Sequence, residues 1–288
     1  MQVINSINEL RAAVKDWRSF GERIAFVPTM GNLHAGHLKL VYAAKQDAQR
    51  VIVSIFVNPT QFGPGEDFAA YPRTEAEDRQ KLLDADIDAL FLPGEAEMYG
   101  ENSQTVISVK GLSNLHCGAF RPGHFDGVAT VVGKLFNLVQ PDAAFFGQKD
   151  FQQLMIIRTM VNDLNFPVEI KSVATEREVD GLAMSSRNGY LIGEQRKTAA
   201  KLYQALCKAR ADVLMGNKSY ATIENEALSF LQSAGFKPDY FNICNADDLQ
   251  QADNKDVNLV ILTAARLANT RLIDNIAFSK TRTGCCNY

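Results

Sequence analysis

Two histidines three residues apart are the first sign of chemistry. The segment PTMGNLHAGH, residues 28–37, carries His34 and His37 in an H-x-G-H spacing. An apolar run precedes it and a helical pattern follows, so the pair is expected in the first turn of a helix that leaves a strand. That spacing puts both imidazoles on one face, beside unpaired backbone N–H groups and the positive end of the helix dipole. The place suits an anion, and neutral imidazoles there can donate to phosphate oxygens. Gly36 leaves the backbone open to close approach by a nucleotide. A lone histidine is more often structural, but half of the chain's 4 histidines sit in this one loop.

A second cluster, FFGQKDFQQ at 145–153, repeats the strand-to-helix pattern and places Lys149 at a helix start. A cation is unfavourable there unless an anionic ligand offsets the dipole, so Lys149 reads as a phosphate ligand or as an ordinary solvated lysine. A third cluster, DGLAMSSRNG at 180–189, sets Ser185, Ser186 and Arg187 between glycines, as a mobile phosphate-gripping loop or a polar linker. Other nucleotide signatures fail. No G-x-G-x-x-G follows a strand, and the nearest P-loop, Gly127…Gly133-Lys134-Leu135, has one intervening residue too many and Leu where a magnesium-binding hydroxyl belongs.

These loops need a frame. Short apolar runs at 23–28, 50–57, 88–92 and 142–146 read as buried strands. Helical periods at 36–49, 74–84 and 126–139 alternate with them, the second opening on a Thr74-x-x-Glu77 capping box. Alternation predicts an α/β fold, a doubly wound parallel sheet whose ligands bind beyond the carboxyl ends of the strands, in the loops after Val27, Val57 and Phe146. Beyond about residue 176, helices at 195–214 and 221–234 precede strands at 240–244, 257–264 and 271–273, a smaller C-terminal α+β domain. The last ten residues, Ser279–Tyr288, are polar and expected to fray.

Composition narrows the partners. With 30 Lys+Arg against 33 Asp+Glu and a net charge of −3, the chain lacks the basic surface of a dedicated nucleic-acid binder. Five scattered cysteines without C-x-x-C argue for neither a disulfide framework nor a zinc site, and fit a reducing compartment. Charged Glu9 and Arg11 interrupt the N-terminus before any secretory apolar core forms, and no run approaches the ~20 apolar residues of a membrane span. A cytoplasmic protein that does not bind membranes is expected.

The segments PTMGNLHAGH (28–37), SIFVNPTQF (54–62), YPRT (71–74), RPGHFDGVATVVGKLFNLVQPD (121–142), FGQKDFQQ (146–153), DGLAMSSRNGYL (180–191) and RLIDN (271–275) together resemble the pantoate–β-alanine ligases, or pantothenate synthetases, in order and spacing. These belong to the HxGH nucleotidyltransferase superfamily. The resemblance implies a Rossmann-like catalytic domain over residues 1–176 and a lid domain over 177–288. It also implies a homodimer and a two-step reaction, in which ATP and pantoate form pantoyl adenylate and pyrophosphate and β-alanine then displaces AMP.

By the same resemblance, His37 would donate a proton and His34 would bind phosphate, within an ATP-binding turn of Met30, Gly31, Asn32, Leu33, His34, Ala35, Gly36 and His37. Gly147, Gln148, Lys149 and Asp150 would hold the nucleotide, with Lys149 on the α-phosphate. Met184, Ser185, Ser186 and Arg187 would clamp the outer phosphates, Arg187 acting in catalysis. Gln61 and Gln153 would bind pantoate, Gln61 also lying near β-alanine and Asn58 near the nucleotide. Mg²⁺ would arrive with ATP, held mainly by phosphate oxygens and needing no carboxylate cluster. Glu176, where the family has a small apolar residue, would offer only its backbone to adenine. His116, where the family more often has Leu, is expected to be structural or on the surface. A tRNA-charging relative would need an appendage that 288 residues do not show, and a silent nucleotide sensor would be expected to have lost Lys149 or one of the histidines.

Overall fold

The apolar runs pair as one parallel sheet. In the computed structural model, which describes residues 1–280, its strands are β1 (Gln2–Ile4), β2 (Ile24–Thr29), β3 (Arg50–Ile55), β4 (Ala89–Phe91), β5 (Ala143–Gly147) and β6 (Glu169–Val173). The strand order is β1-β4-β3-β2-β5-β6, with every pair parallel. Ile24, Ala25, Phe26 and Val27 are all buried, the continuous apolar signature of a strand covered on both faces. The intervening helices are α1 (Ile7–Ser19), α2 (Ala35–Asp47), α3 (Glu75–Asp84), α4 (Glu95–Met98), α5 (His116–Phe120), α6 (His124–Val139) and α7 (Phe151–Asp163). From β2 the chain winds outward through β3 to β4, then returns to the other side of β2 for β5 and β6. The order therefore reverses between β2 and β5, the kind of switch point beyond whose strand carboxyl ends open α/β sheets bind ligands.

Each expected strand and helix of this part is present, with boundaries shifted by one to two residues. β3 stops at Ile55 rather than at 57, because the Asn58 side chain accepts from Thr60 N at 3.3 Å and starts a 3-10 turn over Pro59–Gln61. The Thr74 capping box does not form. Thr74 has φ −119° and ψ 51°, and its hydroxyl donates to Asp78 Oδ2 at 3.2 Å instead of capping α3. A capping box does open α1, between Ser6 and Glu9.

Two compact units emerge. The first comprises Met1–Asn114, Arg121–Gln148 and Gln153–Glu176; the second takes Leu115–Phe120, Lys149–Gln152 and the chain from Arg177 onward. The second unit has an antiparallel meander of β7 (Phe236–Asn245), β8 (Asn258–Leu267) and β9 (Thr270–Ser279), in the order β7-β8-β9, with helices α8 (Glu194–Ala199), α9 (Lys201–Met215) and α10 (Tyr220–Ser233). Its core brings Leu202, Leu206 and Leu231 together with Phe241, Leu259 and Ile261.

The helix expected over 195–214 is interrupted at Ala200, and the strands run longer than their apolar centres, with an irregularity between Pro238 and Tyr240 in β7. Ser279, expected in a frayed tail, is the last residue of β9. Cys285 and Cys286 lie outside the described residues. No helix among the described residues is long and apolar enough to cross a membrane.

Candidate active site

In the first unit, the turn after β2 is held from below. Gly31 and Asn32 both have positive φ, +80° and +49°; Gly31 N donates to Thr29 Oγ1 at 3.2 Å, and the next two N–H groups turn toward α3 in a small concavity. Asp78, 1% exposed on α3, fills that concavity: Oδ2 accepts from Asn32 N and Oδ1 from Leu33 N, each at 2.7 Å. Lys81 closes the same side by donating to the Leu33 carbonyl at 2.6 Å. Two N–H groups that the sequence leaves open for a ligand are thus taken by a carboxylate from 46 and 45 residues away.

His34 is the N-cap of α2 and not a member of its first turn, as the spacing alone had implied. Its Nδ1 accepts from Gly36 N at 3.2 Å, and His37 Nδ1 accepts from His34 N at 3.3 Å, a capping box built from two histidines. A neutral imidazole whose Nδ1 accepts carries its proton on Nε2, so both rings present Nε2–H donors, with centroids 4.1 Å apart. Gly36 gives this cap room, since a Cβ there would lie 3.0 Å from the His34 ring. The Glu176 carboxylate accepts from Lys39 Nζ at 2.8 Å, and its Cβ lies beside Gly36.

Asn58 and Gln61 also meet, on the turn beyond β3. The buried Gln61 amide donates to Met30 Sδ at 2.8 Å, while its Oε1 accepts from Asn58 Nδ2 at 3.2 Å. Asn58 donates in addition to the Gly127 carbonyl at 3.1 Å and accepts from Tyr99 Oη at 2.9 Å. Burial raises the Tyr99 phenol above its ordinary value, so it stays a donor. Gly127 permits this contact: a Cβ would sit 2.4 Å from the Thr60 carbonyl oxygen. Gln148 Nε2 donates to Ser172 Oγ across β5 and β6 at 3.2 Å, and Gln153 lies half-buried in the first turn of α7.

The second unit holds the remaining residues. Lys149 and Asp150 lie in a 3-10 turn before α7 rather than at its start, and the Lys149 carbonyl accepts from Asn275 Nδ2 at 2.8 Å. Asn275 follows Asp274, whose buried carboxylate receives Arg177 at 2.7 and 3.0 Å. Ser185 caps a 3-10 turn over Ser186–Tyr190 by accepting from Arg187 N at 3.3 Å, and Met184 precedes it. His116 is structural, as expected. Asn242 donates to its Nδ1 at 2.8 Å, its Nε2 meets the Leu249 carbonyl at 2.8 Å, and burial keeps its pKa below the ordinary value.

Asp78, Tyr99 and Gly127 escaped the sequence reading as site residues. Only the glycine left a signal, through its place in the RPGHFDG segment.

A reversed parallel sheet with a histidine-capped helix at the switch point defines an α/β nucleotide-binding enzyme of the H-x-G-H type. Residues 2–277 match the family described as pantoate-beta-alanine ligase. A pantothenate synthetase of Alteromonas mediterranea is 53% identical over 97% of this chain and 100% of its own, and one of Stutzerimonas stutzeri is 55% identical over 96% and 97%. The crystal structure of pantothenate synthetase from Thermus thermophilus superposes with a TM-score of 0.90 at 47% identity, covering 96% of this chain and 99% of that one. The pantoate-beta-alanine ligase of Francisella tularensis, complexed with beta-gamma ATP and beta-alanine, gives a TM-score of 0.82 at 34% identity and covers 99% of each chain. The chain belongs to the pantoate–β-alanine ligase family.

Proposed function

We propose that this ligase condenses pantoate with β-alanine by way of pantoyl adenylate, using the residues described above. A pantoate carboxylate oxygen attacks the α-phosphorus of ATP, and the bond to pyrophosphate breaks. The β-alanine amine then attacks the acyl carbon, and the carbon–oxygen bond breaks so that the oxygen leaves with AMP. Negative charge builds up on the phosphoryl oxygens and on the leaving pyrophosphate, so the first step needs donors and cations more than a base. The observation that carries this reading is the histidine pair, with both Nε2–H groups fixed as donors by backbone contacts to Nδ1.

In this reading His34 binds phosphate, His37 supplies the proton to the leaving group, Lys149 stabilises the α-phosphoryl and Ser185, Ser186 and Arg187 grip the outer phosphates. Gln61 binds pantoate with an amide whose present acceptor is a thioether, a weak partner readily exchanged for a carboxylate oxygen. Gln153 is the second pantoate amide. Mg²⁺ is assigned to ATP itself, as part of the substrate, held mainly by phosphate oxygens.

Residues 1–176 are assigned as the catalytic domain and 177–288 as its lid. The unit boundary between Glu176 and Arg177 supports this, with Lys149 tied to β9. A homodimer in the reducing cytoplasm fits the family and the unpaired state of Cys117, Cys207 and Cys244. The test is release of AMP and pyrophosphate from ATP and Mg²⁺. Release that requires pantoate, with pantothenate formed only when β-alanine is added, supports the reading; pantoate-independent pyrophosphate release defeats it.

A further inference from the structure

The segment Arg121-Pro122-Gly123-His124 has a role in the pantoate site that the reaction chemistry alone does not supply. Arg121 forms a fork with Glu66: Nε donates to Oε1 and Nη2 to Oε2, both at 2.6 Å. The side chains are 14% and 23% exposed, which shields the pair from solvent screening. Burial would push the Glu66 carboxyl up, but the Arg121 hydrogen bond and charge outweigh it and hold the group below its ordinary value. The guanidinium is therefore fixed in orientation, and two of its N–H groups point at partners that matter. Nη2 also donates to the Gln61 carbonyl at 3.2 Å, and Nη1 lies 2.9 Å from His124 Nε2.

An arginine has no acceptor, so His124 Nε2 must present its lone pair to Nη1. The His124 proton then resides on Nδ1, which lies 2.7 Å from the Gln61 carbonyl oxygen and donates to it. His124 is consequently in the tautomer opposite to that of His34 and His37. The carbonyl of Gln61 receives two donors from one segment, while the glycine three residues past His124 lets α6 approach the same turn. Backbone and side chain of one residue are thus held separately: the carbonyl by Arg121 and His124, the amide by Asn58 and Met30.

We propose that His124 is a positioning residue, held as its Nδ1–H tautomer by the Glu66–Arg121 fork, which fixes the Gln61 backbone and thereby aims its amide at the hydroxy-acid substrate. This rests on Gln61 as a pantoate ligand. Loss of the His124 donor would let the turn over Pro59–Gln61 rotate and withdraw the amide, weakening pantoate while leaving the ATP turn intact.

Two near-isosteric variants separate donor geometry from bulk. An asparagine amide nitrogen overlays imidazole Nδ1, whereas a glutamine amide nitrogen overlays Nε2. His124→Asn is expected to keep KM for pantoate within about fivefold of the parent, and His124→Gln to raise it ten- to fiftyfold. KM for ATP should stay within twofold in both, with circular dichroism and melting confirming that both fold. Nitrogen-15 spectra of histidine-labelled protein should show His124 protonated on Nδ1 and His34 and His37 on Nε2.

Gln61→Ala, assayed alongside, separates the two levels of the argument. If it leaves the pantoate KM unchanged, the substrate assignment fails and the proposal falls with it. If Gln61→Ala raises that KM but His124→Gln matches His124→Asn, the proposal alone is overturned. An Nε2-protonated His124, or equal rises in the ATP and pantoate KM values, also overturns it.

Discussion

Replacing Asp78 with Asn tests whether a buried carboxylate, rather than the turn's own sequence, shapes the histidine loop. The two oxygens of Asp78 accept from Asn32 N and Leu33 N at 2.7 Å each, and Thr74 adds a third donor at 3.2 Å. An amide keeps one acceptor and turns an NH₂ toward the other backbone N–H. One charge-assisted bond, worth about 1.5–3 kcal/mol, is lost, and one buried donor is orphaned at a cost of about 1–3 kcal/mol. The expected total is about 3–5 kcal/mol, in the range for breaking a buried charged partnership. At roughly 2–4 °C per kcal/mol for a chain of this size, melting should fall by about 6–20 °C. Rotation of Asn32 and Leu33 shifts the His34 cap, and a displacement on the order of 1 Å costs roughly a hundredfold in kcat. Scanning calorimetry and steady-state kinetics with varied ATP are the assays, with Asp86→Asn as the control because the Asp86 side chain is 93% exposed. If Asp78→Asn matches Asp86→Asn in melting temperature and in kcat/KM for ATP, the carboxylate does not organise the turn.

Other outcomes follow from the same contacts. Lys149→Ala should lower kcat by roughly 10²–10³-fold with little change in melting temperature, as for loss of one transition-state donor. Gly127→Ala, whose Cβ would lie 2.4 Å from the Thr60 carbonyl oxygen, should destabilise the protein by about 1–3 kcal/mol and raise the pantoate KM, read by urea melts and kinetics. Burial depresses the His116 pKa, so the unfolded chain takes up a proton first; stability should fall as pH drops below about 6.5, and His116→Asn should flatten that slope in urea midpoints. Asn is compatible with the positive φ of 40° there. Burial raises the Glu66 carboxyl but its Arg121 hydrogen bond and charge outweigh that, so its folded pKa too lies below the ordinary value of 4.5; its contribution is present above that value and lost as pH falls through the folded pKa. Glu66→Gln should make the acid limb of stability shallower.

Much of this architecture was legible because apolar runs such as Ile24–Val27 and Val51–Val53 are buried on both faces, and a parallel sheet demands that. The edge strands were not. β1 spans three residues, and β6 reads EIKSV, with its Glu169 exposed and no buried residue to mark it. The histidine loop could be read from local spacing, since both Nδ1 contacts close within three residues. What supports the loop could not: Asp78 reaches it from 46 residues away and Arg121 reaches Gln61 from 60. A capping box was expected at Thr74 because its pattern is local, yet the hydroxyl turned to Asp78, a partner already committed to the histidine turn. Periodicity reports which side of an element is buried. It carries no record of which buried carboxylate serves another segment.

The adenylate route is tested most directly by following oxygen. Pantoate labelled with oxygen-18 in both carboxylate positions is turned over with ATP, Mg²⁺ and β-alanine, and the products are weighed by mass spectrometry. Attack of the carboxylate on the α-phosphorus, followed by carbon–oxygen cleavage, places one labelled oxygen in AMP and leaves one in the amide carbonyl of pantothenate. Label absent from AMP, or found in pyrophosphate, would contradict the mechanism.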